Sequence, residues 1–449
     1  MNAPIDLALF LWLTLCMIFI LYALLLAPLA LLFHAWILYP LLWLVTQRQA
    51  HDARDATQDF EKDCRLQTAG SRQETQCPTT NAQQPTPNTP PVVVLLSAFN
   101  EAAVIAARVA NLVAMDYPCD RVRVLIGTDG CTDDTAARAR DAAVATPWIE
   151  VIAFAHNRGK VAVLRDLVAR AQRHDSYTPD TLLVFTDANT RFRPDALRQL
   201  ARHFDDPAVG GVCGRLVFTG SGSDAEKSYW NLENALKARE SEIDSCLGAN
   251  GAIYALRPPC FWQAIPTNTV VDDFVIGMKV REAGLRMLYD PDAVAEEDVP
   301  AVQDEWQRRV RIGSGDYQAA WLCRACLHPR YGRFAGCFWS HKILRWFTPH
   351  LVLAVLAAAT VSLACCRSSA ASSPLVLLAL AAITGSVLLL IAALAGRLAR
   401  RLAWRGALGK LCRGIDHFVT MQAALLVGFV RYCRGNLSGA WRRTPRTPT

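Results

Sequence analysis

Three kinds of pattern follow one another along the chain. Leu7 to Val45 is almost uninterrupted apolar sequence. As one helix it would be about 58 Å long at ~1.5 Å per residue, against a hydrocarbon core of ~30 Å. Pro28 divides the run into Leu7–Ala27 and Leu29–Val45, which suits two helices, with one span or two left open. The run is too long for a signal peptide, and no positive region precedes it. Gln47 to Pro91 is polar, and Arg72–Pro91, rich in Gln, Thr, Asn and Pro, reads as a flexible linker.

From Pro91 to about Tyr331 short apolar runs alternate with helical patterns. The runs are Val92–Leu96, Val122–Ile126, Ile149–Phe154 and Leu182–Phe185; the helical patterns are Ala102–Ala114, Thr132–Ala145, Lys160–Arg173 and Pro194–Phe204. Such alternation predicts an α/β domain with a mostly parallel sheet. After Tyr331 the chain turns apolar again. Phe347–Cys366 and Pro374–Gly396 are each long enough to span a bilayer. Phe418–Val430 is shorter and has basic flanks, which suits an interfacial or re-entrant helix. The expected organisation is therefore an N-terminal transmembrane region over 1–46, a linker over 47–91, a catalytic or binding domain over 92–331, and an interface helix with transmembrane helices over 332–449.

Composition agrees with a soluble domain held between membrane anchors. Of 449 residues, 52% are hydrophobic and 19% charged, too apolar for disorder and too charged for a bundle of membrane helices alone. The net charge is +7, from 47 basic and 40 acidic residues. Arg397–Arg413 holds six basic residues and no acid, which places it in the cytoplasm. Counting back through two spans puts the α/β domain there as well. No nucleic-acid motif accompanies the charge, so DNA or RNA is not an expected partner. The 15 cysteines are irregularly spaced and read as small hydrophobes in the reduced state. Cys323, Cys326, Cys337 and His341 lack the paired spacing of a zinc site.

The chemistry lies after the strands, where ligands of parallel sheets bind. Ser97-Ala98-Phe99-Asn100-Glu101 follows the first run, Asp129-Gly130 the second, Arg158-Gly159-Lys160 the third, and Asp187-Ala188-Asn189 the fourth. Singly, each suits a helix cap or turn; in order, they predict a nucleotide site. Arg158 and Lys160 can neutralise phosphate. Asp187 is a hard oxygen ligand for Mg²⁺ or Mn²⁺. Walker A and G-x-G-x-x-G patterns are absent, which counts against ATPase and dinucleotide readings. Farther on, Asn250-Gly251 forms a small-residue turn and Asp272-Asp273 opens a helix. Arg308, Arg309 and Arg311 follow within four residues, a basic helix or a diphosphate clamp.

These blocks in this order resemble the family-2 inverting glycosyltransferases of the GT-A fold, in particular the membrane-embedded branch that includes cellulose and hyaluronan synthases. The resemblance covers about Val92 to Pro349 and the membrane layout. It implies that Ser97, Asn100, Glu101, Asp129, Gly130, Arg158, Lys160, Asp187, Arg308, Arg309 and Arg311 bind a nucleotide-diphosphate sugar, with UDP as the expected nucleotide. It implies that Asp273 is the base, that Asp187 and Asn189 hold Mg²⁺ or Mn²⁺, and that Tyr229, Trp230, Glu233, Asn250, Gly251 and Asp272 lie on the acceptor side. His341–Trp346 resembles the family's interface helix. A glycan or lipid acceptor, partner subunits of a polysaccharide synthesis complex and a bacterial inner membrane are further implications. Two positions depart from the pattern. Asn189 replaces the second acid of Asp-x-Asp, so metal binding rests on Asp187 and the donor diphosphate. Arg308 and Ile312 replace a Gln and a Trp, and the loss of that Trp, a stacking platform for an acceptor sugar, counts against long-chain processivity. The rival readings are a single-addition lipid glycosyltransferase, a non-catalytic scaffold and a transporter; intact Asp129, Asp187, Asp273 and Arg311 argue against a decayed site.

Overall fold

Strand β1 (Val92–Ala98) is buried along its whole length, as its unbroken Val/Leu run requires of a strand covered on both faces. It pairs in parallel with β2 (Val122–Asp129) on one side and β4 (Leu182–Asp187) on the other, and β2 pairs in parallel with β3 (Ile149–Phe154). With β5 (Arg191–Phe192), β6 (Val209–Thr219), β7 (Tyr254–Leu256) and β8 (Arg286–Asp298) they form an eight-stranded sheet in the order β3-β2-β1-β4-β7-β6-β8-β5. The four expected strands are present. The second half of the sheet is mixed, because β7 runs antiparallel to β4 and β6. The computed structural model describes residues 7–41, 89–219, 224–298, 305–365, 373–402, 404 and 406–437. Most of the expected linker lies outside them.

Period-two alternation divides each strand between two cores. Val92, Val94 and Leu96 face one side with helices α2 (Ile105–Val113), α3 (Thr135–Ala143) and α5 (Ala196–Ala201). Val93 and Leu95 face the other with α4 (Lys160–Gln172). That second core does not stop at the expected boundary near residue 331. It takes in Phe334, Phe338 and Trp346 from a helical stretch over 332–346. The remaining helices of the domain are α6 (Asp224–Ile243), α7 (Asp272–Glu282) and α8 (Glu305–Leu322).

At the N-terminus one helical run stands where the sequence left one span or two open. α1 (Leu7–Phe33) runs through Pro28 and continues as a π-helical turn, His34–Leu38. Proline removes one backbone hydrogen bond and kinks a helix without having to end it in an apolar setting. Among the described residues, three helices are long and apolar enough to cross a membrane: Cys16–Leu41, α9 (Thr348–Cys365) and α10 (Pro374–Arg401). The stretch Phe418–Val430 belongs to a longer helix, α11 (Ala407–Cys433), which is not among them. α11 packs along α8 of the domain and against α10. A Cβ on Gly428 would come within 2.7 Å of the Gly313 and Ser314 backbone, so this crossing needs glycine. Asp416 pins α11 to α10 through Arg397 at 3.0 Å and through Arg400.

Candidate active site

The sheet order reverses at β1, whose two neighbours β2 and β4 precede chain segments running to opposite sides. Open α/β sheets bind ligands at such a switch point, beyond the strand carboxyl ends. A cavity of about 550 Å³ opens there. It is lined by Glu101, Lys160, Asp187, Asn189, Trp230, Glu233, Asn250, Gly251, Asp272, Asp273, Arg308, Arg309 and Arg311 of the expected residues.

Gly251 marks the centre. A Cβ there would lie 3.1 Å from Asp187 Oδ2, 3.3 Å from Asp273 Oδ2 and 3.3 Å from Lys160 Nζ. Three groups from three separate blocks therefore converge on a position only glycine leaves open. Gly251→Ala is expected to displace these groups and cut turnover at least about tenfold, since small misplacements at a reacting centre are costly; steady-state kinetics would check it. Lys160 Nζ lies 2.7 Å from Asp187 Oδ1 and 3.8 Å from Asp272 Oδ2. Burial works against its charge, but Asp187, Asp272 and Asp273 outweigh that and hold its pKa above the ordinary lysine value. Behind them, Arg108 is fully buried and donates to Thr186 Oγ1 at 2.8 Å. Burial lowers its pKa to about 9, against the pull of Asp187 and Glu297.

The two acids of α7 differ. Asp273 is partly open to the cavity, and its Oδ1 accepts from the Phe274 N–H at 2.8 Å, which leaves Oδ2 directed at the Gly251 side. Asp272 is buried, and its Oδ2 accepts no hydrogen bond. Burial raises its pKa to about 6, with Lys160 opposing and Asp273 and Asp187 adding to the rise. The folded chain thus holds this proton more firmly than the unfolded one. The associated stability is present below about pH 4 and lost as pH rises through about 6. Asp272→Asn should gain thermal stability over wild type at pH 7 and not at pH 4, as melting curves at the two pH values would show.

The Arg311 side chain faces the cavity and makes no hydrogen bond or ion pair among the described residues. Burial and Arg308 lower its pKa, while Asp272, Asp187 and Asp273 support its charge. Arg308 is 3.1 Å from Glu305, and Arg309 also pairs with Glu305. The three arginines are therefore unequal, and Arg311 is the one left open to an anion.

Other expected residues do different work. Asp129 accepts from the Arg158 N–H at 2.9 Å and the Gly159 N–H at 2.8 Å, so it shapes the loop that delivers Lys160. The Arg158 guanidinium lies over Phe154 and pairs with Asp166 at 2.8 Å, away from the cavity lining. Asn100 adopts φ 55° and clasps Thr132. Ser97 is buried in β1, and Gly130 makes a tight turn at φ 61°. Neither lines the cavity. Asn250 buckles its own turn, donating to Gly214 O at 2.8 Å and accepting from the Ile253 N–H at 3.2 Å. Trp230 packs edge-on against Phe218 while lining the cavity. The Tyr229 side chain lies outside the described residues.

Glu233 lines the cavity, but its carboxylate is taken by three side chains: Lys342 at 2.7 Å, Arg345 at 3.0 Å and His341 Nε2 at 3.1 Å. His341 Nδ1 meets Glu240 at 2.5 Å, and Tyr39 donates to the same Glu240 oxygen at 2.9 Å. This buried network joins α6, the 332–346 helix and α1. Sequence reading missed Lys237, Glu297, Asp298 and Asp316, which line the cavity, and the apolar mouth of Trp36, Phe418, Met421 and Leu425. The acidic run Glu296-Glu297-Asp298 at the end of β8 was a usable signal, being one more polar cluster after a strand. The mouth had none, since it forms only where α11 meets the turn after α1.

Asp187 and Asn189 offer one carboxylate and one amide oxygen to a divalent cation. No group of three His, Cys, Asp or Glu converges among the described residues. Mg²⁺ sites commonly use one or two carboxylates and complete their shell with phosphate oxygens and water. The pair fits that kind of site, provided Lys160 releases Asp187.

A family model described as "Glycosyltransferase like family 2" matches residues 90–311. The structure is similar to that of a mannosyltransferase from Pyrobaculum calidifontis in complex with GDP-Man and Mn²⁺, with a TM-score of 0.60, 21% identity, and coverage of 92% of this chain and 99% of that one. Residues 90–311 thus match the family-2 glycosyltransferase model, and the fold is the GT-A fold. Among curated relatives, a beta-monoglucosyldiacylglycerol synthase of Synechocystis is 27% identical over 249 residues, 52% of this chain and 50% of that protein. An N-acetylglucosaminyltransferase of Rhizobium is 26% identical over 228 residues, 47% of this chain and 49% of that protein. The glycosyltransferase domain and its surroundings thus span about half the length of these relatives.

Proposed function

We propose that the chain transfers a sugar, with inversion, from a nucleotide-diphosphate sugar to a hydroxyl of an acceptor that enters from the membrane. The observation that carries this reading is Arg311, a guanidinium without an ion-pair partner among the described residues, in one cavity with Lys160, Asp187 and Asp273. An anion of the donor's kind is what such a cation lacks. Asp273 takes the proton from the acceptor hydroxyl as its oxygen attacks the anomeric carbon. The bond from that carbon to the diphosphate oxygen breaks, and Arg311 and Lys160 receive the departing charge. A Mg²⁺ or Mn²⁺ held by Asp187 and Asn189, when bound, adds Lewis-acid stabilisation of the diphosphate.

The acceptor route is supported by the opposite end of the cavity. Its lining passes from charged residues to Trp36, Phe418, Met421 and Leu425. Trp36 sits in the turn that continues the N-terminal apolar helix, and its ring meets Phe418 edge-on at 5.1 Å. An amphiphile can leave its tail in the bilayer and bring its head to Asp273. The positive cluster of Arg397–Arg413 favours a cytoplasmic domain. Ile312 in the cavity wall, where the resemblance implies a tryptophan platform, favours single additions over a long polymer.

The test is nucleoside diphosphate release by the purified chain in vesicles, with a panel of UDP- and GDP-sugars and Mg²⁺ or Mn²⁺. Release with one donor class, dependent on the metal, is expected. Binding of nucleotide without any release would favour the scaffold reading. Arg311→Ala should weaken nucleoside diphosphate binding by about 10- to 100-fold, the worth of a charge-assisted hydrogen bond, as calorimetry would show.

A further inference from the structure

Two polar groups in the cavity have no use in the chemistry described so far. Lys237, on α6, is buried at 5% exposure and lines the cavity. Its ammonium reaches only Cys213 Sγ, at 3.9 Å, a weak acceptor for three strong donors. Asp316, on α8 beyond Arg311, also lines the cavity and makes no hydrogen bond or ion pair among the described residues. The cations nearest to it are engaged elsewhere, Lys342 with Glu233 and Arg309 with Glu305. Both groups lie within the electrostatic reach of Asp273 and Glu233, between the reacting centre and the network that meets the membrane helices. The α8–α11 crossing at Gly428 fixes the helix that carries Asp316.

Asp316 is half-buried and open to the cavity, and polar groups that a bound acceptor shuts off from water cost free energy unless that acceptor supplies their hydrogen bonds. We propose that Lys237 and Asp316 form a subsite for a polyhydroxylated acceptor head, so that the chain acts on an amphiphile that already carries a sugar or similar polyol. This rests on the sugar-transfer reading and names its acceptor class. The attacking hydroxyl is served by Asp273, and neighbouring hydroxyls of the same head satisfy Lys237 and Asp316. An acceptor with a single hydroxyl would seal the cavity with both groups unpaired, the circumstance under which sites built for hydrogen bonding reject analogues strongly. Burial raises the Asp316 pKa to about 8, with Lys342 and Arg309 opposing and Glu233 and Asp273 adding. At neutral pH its carboxyl can therefore donate as well as accept. In reaction order, the chain then follows a step that places the first sugar or polyol on the lipid.

The test uses the full chain in phosphatidylcholine vesicles, the donor that supports nucleoside diphosphate release, and two acceptors with the same tail: dodecyl β-D-glucoside and 1-dodecanol. The glucoside is expected to exceed dodecanol in kcat/KM by at least about 100-fold, in keeping with the rejection of substrates that leave polar groups unpaired. Lys237→Met and Asp316→Ala should each reduce that preference at least about tenfold, mainly through KM for the glucoside. Asp316→Asn, which still donates and accepts, should keep most of it. Unchanged affinity for the nucleoside diphosphate shows that each variant is folded. Equal use of the two acceptors, or variants that keep the wild-type preference, would overturn the subsite and leave sugar transfer standing. Failure to release nucleoside diphosphate from every donor would overturn sugar transfer itself.

Discussion

Asp273→Asn is expected to lower kcat by about 10³-fold, within the range that a positioned general base supplies. The variant should still bind nucleoside diphosphate as wild type does, because the donor-facing cations are Arg311 and Lys160. The available carboxylate oxygen decides the outcome. Asp273 keeps Oδ2 at the Gly251 position, beside Asp187 and Lys160, while Oδ1 is fixed by the Phe274 N–H. An amide preserves that shape and removes the basic lone pair. Asp272, buried behind Lys160, should be far less costly to replace. Equal losses from the two asparagine variants would mean that the acids act as one unit. Pre-steady-state and steady-state rates, with binding measured alongside, would separate these outcomes.

Glu233→Ala should be the most damaging change to the fold outside the hydrophobic cores. It strips Lys342, Arg345 and His341 of a shared carboxylate. Breaking a buried ion pair from one side typically costs about 3–5 kcal/mol, because the remaining charges stay buried and unpaired. Burial works against the Glu233 charge, but Lys342, His341 and Arg345 outweigh it and hold its pKa well below the ordinary range. The sign follows: this stability is present above the unfolded-state pKa of about 4.3 and is lost as pH falls through the lower native value. Thermal unfolding of wild type and variant should therefore differ widely at pH 7 and converge in strong acid. Because Glu233 sits where α6, the 332–346 helix and the turn after α1 meet, the variant should also loosen that junction, as limited proteolysis would reveal.

The sheet was legible because β1, β2 and β4 are covered on both faces and carry apolar runs, broken only by Arg123 in β2. Asp187, Asp273 and Lys160 were legible for a different reason: each directly follows a strand or opens a helix, so sequence position already implies a place on the rim. The ion pairs of Glu233 were not legible, since its partners Lys342 and Arg345 are more than a hundred residues away and no local pattern pairs them. The pairing of Arg158 with Asp166 on α4 was likewise not legible from the Arg158-Gly159-Lys160 block. Pro28 left the number of spans open, as proline signals a break in water and only a kink where neighbouring helices and lipid surround the chain. Lys237 and Asp316 are ordinary in sequence; only their place in the cavity lining sets them apart.

The most direct measurement of the central claim follows the sugar. Vesicles holding the full chain and dodecyl β-D-glucoside would be incubated with radiolabelled nucleotide sugars, and the lipid extract would be analysed by chromatography and anomeric NMR. The account predicts label joined to the amphiphile through a glycosidic bond of inverted configuration, absent with Asp273→Asn. Label that remains in the donor with every nucleotide sugar, or that reaches the lipid equally well with Asp273→Asn, would contradict it.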